Sequence, residues 1–209
     1  MTYGSLMAAD PTDDIIGARD NLSPETRSLI LRAQAGDRAA FEQLMIFHQR
    51  LVLGTAFRIL HSLEDARDAA QEVFLKLFRH LSRIRADADL RPWLYRVTVN
   101  ACRDVARELY RVPLSPLVGD PTEHEAHQSA ELGADDALNA MDRRRILHEA
   151  IQTLPYKEKA AVVLRDIEGL STEQTARILG SSAATVRSQI ASARIRMRRY
   201  CERSLRMKK

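Results

Sequence analysis

Apolar residues return every three or four positions through most of this chain and nowhere sustain the alternation a half-buried strand needs, which leaves helices as the elements it can build. The pattern begins near Pro24. Residues 29–35 form a short helix, Gly36 and Asp37 break it, and Ala40, Phe41, Leu44, Phe47, Leu51 and Phe57 mark the inward stripe of a longer one. After an interruption at His61 and Ser62, Leu63, Ala66, Ala70, Val73, Leu77 and Leu81 define a buried face opposite Asp65, Asp68, Glu72, Lys76 and Arg79. From Pro92, a residue suited to a first helical turn, Leu94, Val97, Ala101, Val105 and Leu109 face inward. Arg96, Asn100, Arg103, Arg107 and Arg111 form a basic stripe with one amide on the other side. The period returns after Met141 through Ile146, Leu147, Ala150 and Ile151, giving about four helices in each half. With 29% charged and only 5% aromatic residues, the composition suits packed amphipathic helices and excludes a barrel or sandwich of aromatic and β-branched strands. The fold class is therefore all-α.

Charge divides the chain in three. Residues 1–112 hold 16 Lys and Arg against 15 Asp and Glu, residues 113–142 hold no cation against 7 acids, and residues 143–209 hold 16 against 6. A single globule has no reason to be decorated this way. We therefore expect an N-terminal extension at 1–24, a helical domain at 25–112, a flexible acidic linker at 113–140 rich in Pro and Gly, and a basic helical domain at 141–209. No stretch approaches the roughly 18 apolar residues of a membrane span, and the N-terminus lacks a signal-peptide layout, so a cytoplasmic protein without membrane insertion is expected. Cys102 and Cys201 carry no metal or disulfide spacing. His124 and His127 lack a third ordered ligand, so no metal and no cofactor is assigned.

The clearest local signal runs from Ser171 to Arg199. Ser171 and Gln174 make a capping box, and Ala176, Gly180 and Val186 supply a small residue at a helix crossing, a left-handed turn and an apolar seat for the next helix. That is a helix-turn-helix. Its second helix buries Val186, Ile190, Ala193, Met197 and Tyr200 and leaves Arg187, Ser188, Ala191, Arg194 and Arg198 outward. On that face arginine can pair with guanine and further cations can hold phosphates. From Arg194 onward eight of sixteen residues are Lys or Arg, a source of sequence-independent affinity for nucleic acid.

Five blocks together resemble the two-domain extracytoplasmic-function sigma factors of bacterial RNA polymerase: AGDRAAFEQL at 35–44, EDARDAAQEVFLKLFRHL at 64–81, RPWLYRVTVNACRD at 91–104, LPYKEKAAVVLRDIEGLSTEQTARILG at 154–180 and ATVRSQIASARIRMR at 184–198. The resemblance implies a region 2 bundle at 25–112 and a region 4 helix-turn-helix domain at 141–209. It implies docking on core RNA polymerase, through its β′ and β subunits, with Asp65, Asp68, Gln71 and Glu72 on the β′ coiled coil. It places Asn100 at a base of the −10 promoter element with Arg96, Arg103 and Arg107 beside it, and a pocket for an unstacked base in the loop 82–91. Trp93 is expected in the core rather than stacked on a base. Arg187, Ser188, Ala191, Ser192 and Arg194 fall where the family meets the −35 element. Two departures stand out: Arg67 interrupts the acidic strip, and Ala191 and Ser192 replace a bulkier or more basic pair. The family also implies an acidic linker lying in the RNA exit path and a cognate anti-sigma protein as partner. Nothing in the residues suggests an enzyme: no nucleophile set and no Gly-rich phosphate loop is present. The rival reading is a stand-alone helix-turn-helix regulator whose N-terminal bundle binds a ligand or a partner.

Overall fold

A computed structural model describes residues 24–87, 89–111 and 134–206, the side chains of 109–111 and 134–141 excepted. The expected extension, most of the expected linker, and the side chains of Leu109 and Arg111 lie outside the described residues. Among the described residues every regular element is helical: α1 (Pro24–Gln34), α2 (Arg38–Leu60), α3 (Leu63–His80), α4 (Arg91–Arg111), α5 (Ala134–Gln152), α6 (Tyr156–Val162), α7 (Thr172–Leu179) and α8 (Ala183–Arg206).

The helix ends are set by the residues that flank them. Asp37 accepts a hydrogen bond from Ala40 N at 3.1 Å and caps α2, and its bonds to that N–H and to Arg32 hold its carboxyl below the usual range. Ser62 caps α3 through Asp65 N at 3.2 Å, with Glu64 and Asp65 at the positive end of the macrodipole. Between α2 and α3, His61 sits in the left-handed region at φ 59°, its N–H bonded to Phe57 O at 2.8 Å. Helix α5 starts at Ala134, so the seven residues 134–140 expected in the linker are helical. Ala, Leu, Asn and two first-turn aspartates make that segment a competent helix start.

The first four helices close on a continuous apolar core that includes Ile30, Leu44, Val52, Val73, Leu77, Leu81, Leu90, Trp93 and Leu94. Trp93 is 1% exposed, as expected of a core residue. The stripe on α2 is displaced from the expected one. Phe47 is 64% exposed, while His48, Val52, Thr55, Ala56 and Ile59 turn inward with Ala40 and Leu44. Leu63, the first residue of α3, and Leu147 on α5 are likewise exposed, although both are in step with the buried positions that follow them.

In the second half, α6 ends in a single π turn over Val163–Ile167, closed by Glu168 N–H donating to Val163 O at 2.9 Å, and Gly169 at φ 76° lets the chain leave. Val163, Leu164 and Ile178 belong to the same apolar cluster as the α1–α4 core, so the two halves pack against each other. Helix α8 lies across α5, α6 and α7, seated by Val186 and Ile190 on Ala161 and Ala176 and by Ala193 on Leu154 and Val162.

His48 is an ionisable group inside the first core, 4% exposed, with Nε2 unpartnered. Burial pushes its imidazole down to about 4, against a weaker opposing pull from Asp89. The unfolded chain takes up this proton near pH 6.5 and the folded chain only near 4, so this contribution is complete above pH 6.5 and is lost as the pH falls toward 4. Urea denaturation should therefore show the chain about 2 kcal/mol less stable at pH 5 than at pH 7 on account of this one group, and His48→Leu should flatten that difference.

Candidate nucleic-acid interface

The helix-turn-helix is built as its sequence dictates. Ser171 Oγ accepts from Gln174 N at 3.1 Å and Gln174 Oε1 accepts from Ser171 N at 2.8 Å, so α7 starts on a complete capping box. Gly180 closes α7 at φ 60° and ψ 41°, and Ser182 Oγ receives Thr185 N at 3.0 Å to start α8. Ala176, 5% exposed, meets fully buried Val186 at the crossing.

This seating leaves Arg187, Ser188, Ala191 and Arg194 exposed on α8, with Ser192 half-buried. Arg194 is held by Asp166, whose two carboxylate oxygens accept from Nη2 at 3.0 Å, and Arg187 approaches Glu173 at 3.9 Å. Both pairs lie at the surface, where ion pairs are weak enough to exchange for a phosphate or a base edge. On another face of α8, Arg196, Arg199, Arg203 and Arg206 line an open groove of about 530 Å3 with Thr153 and Glu202.

Helix α4 carries the second site. Its start is fixed by Asp89, which accepts from Arg91 N at 2.9 Å and from Arg91 Nε at 2.8 Å. From there Asn100 comes to line a cavity of about 200 Å3 between α3 and α4, together with Lys76, His80, Trp93, Val97, Arg103 and Asp104. Trp93 Nε1 is buried there without an acceptor, and the Trp93 and His80 rings stand 6.1 Å apart. The cavity thus joins an amide, an imidazole, two cations and the Asp104 carboxylate over the buried Trp93, a polar lining that can meet the edge of a nucleobase. Arg103 and Arg107 are exposed beside it, each within 4.0 Å of Asp104, and Arg96 is half-buried.

This cavity lies against α3, whereas the sequence reading placed a base pocket in the loop 82–91. At the start of that loop Gln34 Nε2 donates to Ile84 O at 2.7 Å and to Leu81 O, just before it, at 2.8 Å. Lys76 and His80 also line this cavity and are not among the site residues expected from the sequence. Their spacing of four on α3 was visible, but nothing in one helix reveals that it faces Asn100 on another.

The third group, on α3, borders that cavity through Lys76. Asp68 and Gln71 are exposed and Asp65 and Glu72 half-buried, with Glu72 paired to Lys76 at 3.4 Å and Arg67 exposed among them. Leu75 and Phe78, 43% and 61% exposed, extend this acidic face with apolar surface.

Together these sites define an all-helical DNA-binding protein with a helix-turn-helix in one half and a basic, amide-bearing helix in the other. Comparison with known proteins places it more closely. Residues 46–112 match the family described as Sigma-70 region 2, and residues 144–197 match Sigma-70, region 4. The RNA polymerase sigma-H factor of Pseudomonas aeruginosa is 35% identical over 175 residues, covering 81% of this chain and 90% of that one. The ECF RNA polymerase sigma factor SigM of Mycobacterium tuberculosis is 36% identical over 165 residues, covering 79% of each chain. The ECF RNA polymerase sigma-E factor of Escherichia coli K12 is 33% identical, covering 79% of this chain and 88% of that one. The chain belongs to the extracytoplasmic-function sigma factors of RNA polymerase. It directs promoter-specific initiation of transcription and is not an enzyme. Its fold is shared with CnrH, solved in complex with the cytosolic domain of CnrY, at a TM-score of 0.59 and 24% identity, covering 85% of this chain and 97% of that one. It is shared too with RpoE of Bartonella quintana, solved with the anti-sigma factor NepR, at 0.58 and 20%, covering 78% and 96%. Among the described residues no helix is long and apolar enough to cross a membrane.

Gly180 sits in open space, so a side chain there meets no clash and only the left-handed backbone opposes it. Gly180→Ala should cost about 1 to 2 kcal/mol in urea denaturation of the full chain.

Proposed function

We propose that the region 4 domain reads the −35 element through α8 and that the region 2 domain reads and opens the −10 element through α4. The observation that carries this reading is the cavity in which Asn100 meets Lys76, His80, Trp93 and Arg103. A base drawn out of the duplex costs a few kcal/mol to unstack, and a pocket offering an amide, an imidazole and cations offsets that cost. No nucleotide need be hydrolysed: binding the single-stranded form pulls the melting equilibrium. Arg96, Arg103 and Arg107 hold phosphates next to Asn100. Arg187 and Ser188 reach base edges, and Arg194, turned by Asp166, meets the backbone. Ala191 and Ser192 add little reach to that face, so the −35 sequence is read through fewer direct contacts.

The region 2 domain spans residues 25–112 and the region 4 domain 141–209 in this reading, joined by the acidic linker. Asp65, Asp68, Gln71 and Glu72, extended by Leu75 and Phe78, dock on the β′ subunit of core RNA polymerase, while the β subunit receives the other domain. The relatives' names point to the polymerase as partner, and the titles of the two solved relatives name anti-sigma partners, so a cognate anti-sigma protein is part of the proposal. The place of action is the cytoplasm, where the polymerase is.

Reconstitution with core RNA polymerase tests the whole, because a sigma factor confers start-site choice and a stand-alone regulator does not. In that system Arg187→Ala should lower discrimination between the preferred −35 element and a scrambled one by about 1 to 3 kcal/mol. An unchanged ratio removes Arg187 from base reading. Asn100→Ala should lower the permanganate reactivity of promoter thymines well before it weakens duplex binding; equal reactivity with wild type removes Asn100 from melting.

A further inference from the structure

Helix α8 outruns the motif it belongs to. Its first half lies against α7 and shows Arg187, Ser188, Ala191 and Arg194, and its second half continues to Arg206, about 18 Å further at 1.5 Å per residue. Val186, Ile190 and Ala193 fix its rotation, and the Tyr200 hydroxyl pins the second half by donating to Glu149 Oε2 on α5 at 3.1 Å. At about 100° per residue, Arg196, Arg199, Arg203 and Arg206 then lie roughly 100° to 180° round the helix from Arg187. Their spacing of three, four and three residues keeps them in one stripe about 15 Å long. All four are exposed, and together with Thr153, in the turn after α5, they line the open groove of about 530 Å3.

This stripe is poorly neutralised. Arg196 Nε stands 3.2 Å from Glu158 Oε2 on α6, but among the described residues Arg199, Arg203 and Arg206 make no ion pair, and Glu202 is the one acid in the lining. On the reading face, by contrast, Arg187 and Arg194 each have an acid beside them. The negative end of the helix macrodipole accounts for cations at Arg203 and Arg206 in the last turn, but its pull fades before Arg199 and Arg196, two turns or more from the end. Four guanidiniums around one carboxylate are a site for an anion.

The lining also selects the kind of anion. It contains no aromatic ring to stack a base and no amide to read an edge, and Thr153 Oγ1 donates to Ala150 O at 2.7 Å. A free nucleotide would find no partner there for its base. A row of phosphates fits: each strand of a duplex presents one phosphate per about 3.4 Å of axis, so the stripe meets about four, one for each arginine.

We propose that this groove holds the sugar–phosphate backbone of duplex DNA flanking the −35 element, whatever its sequence, so that the DNA curves round α8 instead of crossing one face of it. This rests on the assignment of the α8 reading face to the −35 element, and it gives a role to the side of the helix that the assignment leaves unused. A straight duplex lodged on the reading face cannot run along a stripe more than a quarter of a turn away. Bending brings the flank to it, and charge-assisted contacts to the phosphates offset the cost of the bend.

The test uses holoenzyme reconstituted from core RNA polymerase and the full chain, with a labelled promoter duplex that extends well beyond the −35 element. One variant combines Arg199→Ala, Arg203→Ala and Arg206→Ala. A second replaces the same three residues by Lys, which keeps the charge and guards against a general loss of helix stability; circular dichroism melting of the free chains checks both. Filter binding over a range of salt reads the electrostatic contribution, and ethylation interference maps the phosphates. The alanine variant is expected to flatten the slope of log K against log salt by about 2 to 3, and to lose interference at three or four consecutive phosphates outside the −35 element. Preferred and scrambled −35 elements should weaken by the same factor, and the lysine variant should keep the wild-type slope. An unchanged slope in the alanine variant overturns the proposal, as does a lysine variant as flat as the alanine one, or interference lost inside the element. Failure of the alanine variant to bind core polymerase gives the groove to an acidic protein surface and overturns it too. The two readings fail separately: a wild-type holoenzyme that does not distinguish preferred from scrambled elements overturns the −35 assignment, whereas the slope reads the groove in either case.

Discussion

Each helix in this protein buries one stripe of apolar side chains, and that single requirement decides which charges the surface can offer. Once Leu94, Val97 and Ala101 turn into the core, α4 can only show Asn100, Arg103 and Arg107 on its outer side. Once Val186, Ile190 and Ala193 seat α8, Arg187 and Arg194 are committed to the opposite face. The polar and cationic surface of these two helices is thus the complement of the packing. A change inside the core that rotated either helix by one position would move an arginine stripe as surely as deleting it.

The parts legible in the sequence were those governed by one helix and its flanks. The caps at Ser62 and Ser171, the turn at Gly180, the buried Trp93 and the outward residues of α8 all follow from local periodicity and turn chemistry. Helix α2 was harder because it is apolar on several sides. Ile46 and Phe47 are exposed while His48 and Thr55 are buried, so hydrophobicity alone pointed to the wrong stripe. The site was less legible than the fold. Its cavity is made where α3 meets α4, and Lys76 and His80 acquire their meaning only from Asn100 across the gap. The family resemblance supplied Asn100; the side chains opposite it came from tertiary packing.

Contacts between the halves were the least legible. A π turn is a five-residue departure from a regular helix and leaves no clear sequence mark, yet it turns the Glu168 carboxylate onto Arg58 and Thr55 of α2 and Tyr95 of α4. Polar side chains buried between domains also differ in kind from apolar ones. They demand particular partners, and so define one docking geometry where an oily face would tolerate many.

Gln34, at the end of α1, reaches two carbonyls of the loop that follows α3. The first helix of the domain therefore serves as a brace for the rim beneath which α4 begins, although some fifty residues of chain separate them. A segment that touches no nucleic acid in this reading still governs how firmly the reading surface is held, and variation near the front of the chain would be felt as looseness at its recognition helix.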